Sequence, residues 1–104
     1  MDMNMDIAEL KDNADAASNL LRVMANQSRL LILCYLLEGE KSVQQLQEHV
    51  EMNQSALSQQ LALLRGEKLV TTRREAQSIY YSIASSEAEQ LLQTLYAIFC
   101  AGKK

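Results

Sequence analysis

The chain has 104 residues, enough for one domain with a modest core, and at 48% hydrophobic and 22% charged it reads as globular rather than disordered. No apolar run is long enough to cross a membrane as a helix, and the acidic start MDMNMDIAELKDNAD lacks the basic head and apolar core of a secretory signal. A cytoplasmic protein with no membrane partner follows, in which the two cysteines, Cys34 and Cys100, are expected as reduced thiols.

There is no Pro and only three Gly, so breakers are scarce and helices are favoured. Residues 1–6 precede the first periodic segment and need not be ordered. Ile7, Leu10, Ala14, Ala17, Leu21 and Met24 recur at spacings of three and four, one apolar stripe from 7 to 25 suited to packing against another helix. Its length in so small a domain leaves room for a partner subunit. Asn26 is the predicted N-cap of a second helix, Gln27 to about Glu38, apolar nearly all round and therefore central, with Gly39 as its stop. Ser42 with Gln45 forms a capping box opening a short third helix to about Val50. Asn53 caps a fourth, from Gln54 to Arg65, with Gly66 past its end. LVTTRR (69–74) and SIYYSI (78–83) are β-branched and aromatic, a hairpin closed around Glu75 to Gln77. Ser86 with Glu89 reads as a second capping box, opening a last helix with Leu91, Leu92, Leu95, Ile98 and Phe99 on its apolar side. The order is α-α-α-α-β-β-α, a single, mainly α domain over 1–104. Within it, residues 43–65 form a helix-turn-helix and residues 69–83 a β-hairpin wing.

The net charge of −3 argues against nucleic acid, but its distribution does not. Residues 1–15 hold five acids and one base, whereas residues 52–82 hold four bases (Arg65, Lys68, Arg73, Arg74) and two acids. A local basic patch can direct a phosphate backbone to one face of an acidic protein. In the fourth helix Leu57, Leu61 and Leu64 take the inward positions and push Gln54, Ser55, Ser58, Gln59 and Ala62 outward. Short Ser and Gln side chains let a helix approach a major groove and hydrogen-bond base edges or phosphates, and Ala can touch a thymine methyl. Taken alone this is also the pattern of an ordinary amphipathic helix. The preceding short helix and the following hairpin, which carries Arg73, Arg74 and Gln77 near its tip, turn the balance toward double-stranded DNA.

ANQSRLLILCYL, SVQQLQEHV, QSALSQQLALLRGEKLVTTRREAQSIYYSI and LYAIFC resemble the ArsR/SmtB family of winged-helix regulators over residues 20–100, and QSALSQQLALLR with LVTTRREAQSIYYSI is especially similar to its HlyU branch and to the BigR/SqrR persulfide sensors. The resemblance implies a homodimer joined through the first and last helices, 7–25 and 86–100, on a pseudo-palindromic operator. It also implies HlyU-like activation of virulence or haemolysin genes by relieving silencing. Many members of this family have His where this chain has Gln60, which keeps hydrogen-bonding capacity but changes the bases it would prefer.

By themselves Cys34 and Cys100 read as two small apolar residues. The resemblance implies a dithiol switch, since sensors of this branch pair a cysteine of the second helix with one near the end of the last. A persulfide or another oxidant would link Cys34 to Cys100 and alter DNA affinity. No metal or other cofactor is expected: the third helix has no Cys-x-Cys, the last has Glu87 and Glu89 without His, and His49 stands alone. An enzyme is not expected either, because there is no nucleophile–His–acid set and no phosphate loop. The alternatives are a constitutive DNA-binding regulator without thiol sensing, and a helical protein-interaction module. Steep loss of affinity with salt separates DNA binding from the latter.

Overall fold

The computed structural model describes residues 6–101, so the expectation for the first few residues lies largely outside the described part. The apolar stripe is not one helix. It forms α1 (Ile7–Asp12) and α2 (Ala14–Met24), broken at Asn13. Asn13 sits at φ −104° and ψ 3°, and its Nδ2 donates to the Glu9 carbonyl at 2.8 Å. That side-chain bond competes with the helical ladder, as Asn commonly does. α3 (Gln27–Leu37) is capped by Asn26, whose side chain accepts from the Arg29 amide, and Gly39 beyond its end takes φ +142°. α2 and α3 meet at 93°, and no single helix among the described residues is long and apolar enough to span a membrane.

α4 (Val43–His49) begins with the expected Ser42–Gln45 capping box, and α5 (Gln54–Gly66) with Asn53 accepting from the Ala56 amide. Gly66 is the last residue of α5 rather than its stop. The left-handed position is Lys68, at φ +65°. The Leu69 amide reaches back to the Leu64 carbonyl at 2.9 Å and the Lys68 amide to Arg65 at 3.0 Å, a Schellman ending sealed by two buried leucines.

The wing is a three-stranded sheet. A two-residue strand, β1 (Lys41–Ser42), pairs antiparallel with β3 (Ser78–Ile83), which pairs with β2 (Val70–Glu75). The register sets Thr72 against Tyr81, Arg73 against Tyr80 and Arg74 against Ile79. The turn between β2 and β3 is two residues, with Ala76 at φ +56°. α6 (Ser86–Tyr96) is capped by Ser85, whose hydroxyl accepts from the Ala88 amide, so the box expected at Ser86 and Glu89 begins one residue earlier and lacks its acidic member. The helix then widens into a π-turn over Ala97–Ala101.

Ile32, Leu33, Leu46, Leu57, Leu61, Leu64 and Leu92 are the fully buried centre, contributed by α3, α4, α5 and α6. Burying a side chain of this size contributes about 2 kcal/mol each, which anchors α5 through all three of its inward leucines. Ile7, Leu10, Leu21, Tyr96, Ile98 and Phe99 remain exposed on the first two helices and the end of the last, and Leu31, Leu63 and Ile79 are less exposed elsewhere.

Candidate nucleic-acid interface

α5 presents the face that its leucines leave outside. Gln54, Ser55, Ser58, Gln59 and Ala62 line one shallow open strip along it, and all five are exposed. Ser58 and Ala62 also border a groove between α5 and the wing, with Val43, Leu61, Arg65, Gly66 and Tyr81 as its other walls. The exposed Arg65 therefore stands at the wing side of the helix. Gln60 points elsewhere. It is half-buried, and its Oε1 accepts a hydrogen bond from Arg29 Nη1 at 3.1 Å. Arg29 Nε donates in turn to the Val23 carbonyl at 2.6 Å.

The two wing arginines part company because successive strand residues face opposite ways. Arg74 shares a face with Ile79, Thr72 and Tyr81, and Tyr81 is the residue that walls the groove beside α5. Arg73 is on the other face. Its guanidinium makes a bidentate contact to Glu40 (Nε to both carboxylate oxygens at 3.0 Å, Nη2 to Oε1 at 2.5 Å), lies 3.4 Å from Glu75, and stacks 4.7 Å above the Tyr80 ring. These hydrogen bonds hold the Glu40 carboxyl below its usual range and push the Arg73 pKa up further. Gln77 is exposed in the two-residue turn, at the wing tip. Sequence reasoning grouped Arg73 with Arg74. It missed Glu40, whose only signal was an acid lying just before a strand too short to recognise.

The cysteines differ in setting. Cys34, on α3, is half-buried and opens onto a cavity of about 430 Å³ lined also by Leu31, Tyr35, Leu37, Glu38 and Tyr96. Cys100 is exposed in the π-turn. Burial pushes the Cys34 thiol up, and a charge on Cys100 pushes it further. Among the described residues no three His, Cys, Asp or Glu side chains gather to hold a metal ion.

A short helix, a turn, a helix with a small polar outer face and a twisted β-hairpin beside it define a winged helix-turn-helix DNA-binding protein. Residues 26–72 match the bacterial regulatory protein arsR family. The chain is 45% identical over 96 residues to the transcriptional activator HlyU of Vibrio cholerae, covering 92% of this chain and 89% of that protein. Among solved structures, the transcriptional regulator HlyU of Vibrio vulnificus superimposes at TM-score 0.86 with 44% identity, over 92% of this chain and all of that one. The transcriptional repressor BigR of Xylella fastidiosa superimposes at 0.86 with 39% identity, over 93% and 99%. The chain belongs to the ArsR family of transcriptional regulators, in the branch of HlyU and BigR, and it is a DNA-binding regulator.

Proposed function

We propose that the protein is a homodimeric, sequence-specific regulator whose DNA affinity is set by the thiol state of Cys34 and Cys100. In this reading Gln54, Ser55, Ser58 and Gln59 enter the major groove, and Arg65, Arg74 and Gln77 meet the backbone or the neighbouring minor groove. Gln60 orients α5 through Arg29, and Arg73 holds the wing through Glu40. The exposed apolar side chains of α1, α2 and the end of α6 are the surface a second copy covers, and they support the dimer expected from the 7–25 and 86–100 segments. The two-fold axis of such a dimer matches a pseudo-palindromic operator.

The observation that carries thiol control is that Cys34 is half-buried and opens onto a cavity also walled by Tyr96 of α6, four residues before the exposed Cys100. Access makes Cys100 the first nucleophile. Its thiolate attacks the outer sulfur of a persulfide RSSH, giving Cys100–S–SH and releasing RS⁻. The Cys34 thiolate then attacks the Cys100 sulfur and expels HS⁻, leaving a Cys34–Cys100 disulfide. The thiol pair is oxidised and the sulfane sulfur reduced. Oxidation ties α3 to the end of α6, and any change in affinity equals the difference in the link's stability between the two DNA-binding states. For the biological output, the Vibrio cholerae relative is a transcriptional activator, which supports activation as the output here; virulence or haemolysin genes and relief of silencing are what the family resemblance implies.

The test is DNA binding on the protein's own upstream region at two salt concentrations, reduced and persulfide-treated, with Cys34→Ser and Cys100→Ser alongside. Salt-sensitive binding that only the wild type loses on treatment is expected. A Cys34→Ser protein that loses binding equally overturns the switch, and salt-independent binding overturns the DNA interface.

A further inference from the structure

We propose that Tyr35 is the residue through which chemistry at Cys34 reaches the helix-turn-helix, by way of the backbone carbonyl of His49. The inference rests on the dithiol reading and adds to it the route by which the signal leaves the cysteine.

Tyr35 follows Cys34 on α3, and both side chains wall the same cavity. Its ring is half-buried and packs against the core cluster. On its far side the ring stacks on the His49 imidazole, centroids 4.8 Å apart and planes 28° off parallel. The phenol hydroxyl donates to the His49 carbonyl at 3.2 Å. His49 is the final residue of α4, and its carbonyl is one of those a helix end leaves without an intrahelical partner. Four residues, Val50 to Asn53, separate this point from the start of α5. The hydroxyl of Tyr35 therefore anchors the one turn that sets the angle of the reading helix against the rest of the domain.

A link drawn from Cys34 toward Cys100 enters the cavity that Tyr35 walls together with Leu31, Leu37, Glu38 and Tyr96. α3 is buried along Ile32, Leu33 and Leu36, so its backbone is the stiff side. The yielding side is the open cavity wall, and moving the Tyr35 ring stretches or breaks one bond to the turn. Tyr35 is a positioning residue: it touches no DNA, and it acts by holding the end of α4.

The experiment uses the full chain with Tyr35→Phe, which keeps the stacked ring and removes only the donor. Mass spectrometry follows the Cys34–Cys100 product after persulfide treatment, and DNA affinity is measured before and after. The product is expected to form as in the wild type, because the thiols are untouched. Affinity of the reduced form is expected to stay within about threefold, and the ratio of reduced to treated affinity to shrink about fivefold or more toward one. A purely structural role would lower both affinities together and leave the ratio alone. A His49→Ala protein, which removes the stacked ring but keeps the carbonyl, is expected to retain most of the ratio. A Tyr35→Phe protein with the wild-type ratio overturns the inference and leaves the dithiol switch standing. A wild type that forms the product yet binds DNA unchanged overturns the switch, and the inference with it.

Discussion

The two wing arginines offer the sharpest test of the interface, because sequence alone treats them as equivalent and the strand register separates them. Arg74 lies on the face that continues into the groove beside α5, and among the described residues no ion pair claims it. Arg73 faces away and is held by Glu40, Glu75 and the Tyr80 ring. Each phosphate contact contributes about 0.9 to the slope of log affinity against log salt. A dimer using one Arg74 per subunit therefore loses about 1.8 from that slope on Arg74→Ala, which between 50 and 200 mM salt is a roughly twelvefold smaller loss of binding. Arg73→Ala should flatten the slope by less than half as much, and any weakening should come from a loosened wing. Glu40→Gln supplies the complementary arm. It breaks the same clamp from the other side and should weaken binding as Arg73→Ala does while leaving the slope nearly unchanged. Fluorescence anisotropy on a fixed operator across a salt series measures all three. Arg73→Ala flattening the slope as fully as Arg74→Ala would refute the assignment of the two faces. The Glu40 carboxyl is held below its usual range, so the clamp is fully formed above the ordinary carboxylate pKa and is lost only as pH falls through the lowered value. This pair contributes no change in binding between about pH 6 and pH 8.

Lys68 adopts a left-handed conformation that costs a side-chain-bearing residue about 1 kcal/mol. Lys68→Gly should accordingly raise the thermal midpoint, and a fall would mean that the Lys68 side chain contributes contacts of its own. Leu61→Ala empties a fully buried site under the reading helix and should cost about 2–5 kcal/mol in denaturant unfolding. A cost under about 1 kcal/mol would mean the α5 seat is not close-packed. Alkylation of Cys34 should show a pH midpoint above the usual thiol range, since burial favours the neutral form, and Cys100→Ser should lower that midpoint only part of the way. An unchanged midpoint in Cys100→Ser would place the two sulfurs too far apart to interact.

What was legible in the sequence was local. Asn26, Ser42 with Gln45, and Asn53 each bond an amide three residues on, so their chemistry and their spacing are one signal. The long strands of the wing were equally plain, because β-branched residues and the short gap between them do not depend on the rest of the fold. The misses were tertiary. β1 is two residues long and exists only because β3 offers it an edge. The break at Asn13 leaves the apolar spacing on either side intact, so periodicity passed over it. Ser85 and Ser86 are adjacent hydroxyls, and the chain entering from β3 decides which of them turns back onto the helix. Within the candidate interface, the outward face of α5 followed from its leucines, whereas the partners of Gln60 and Arg73 lie about thirty residues away in sequence and carry no local mark.

Those two distant partners explain how a small domain can hold a reading surface still. Arg29 is one rigid, planar group with its donors in a fixed fork. One arm ends on the Val23 carbonyl in the last turn of α2, and another on Gln60 in the middle of α5. α2 carries exposed Leu21, so the same guanidinium that steadies α5 ties it to the helix whose outer face is apolar. On the opposite flank Glu40, in the loop before β1, fixes the wing through Arg73. α5 and the wing are thus each tied to a different part of the body, and the groove between them has its width set from both sides. A lysine at position 29 would offer its donors from one point on a flexible stem rather than from a fixed fork, which would leave α5 packed by its leucines but less firmly oriented about them.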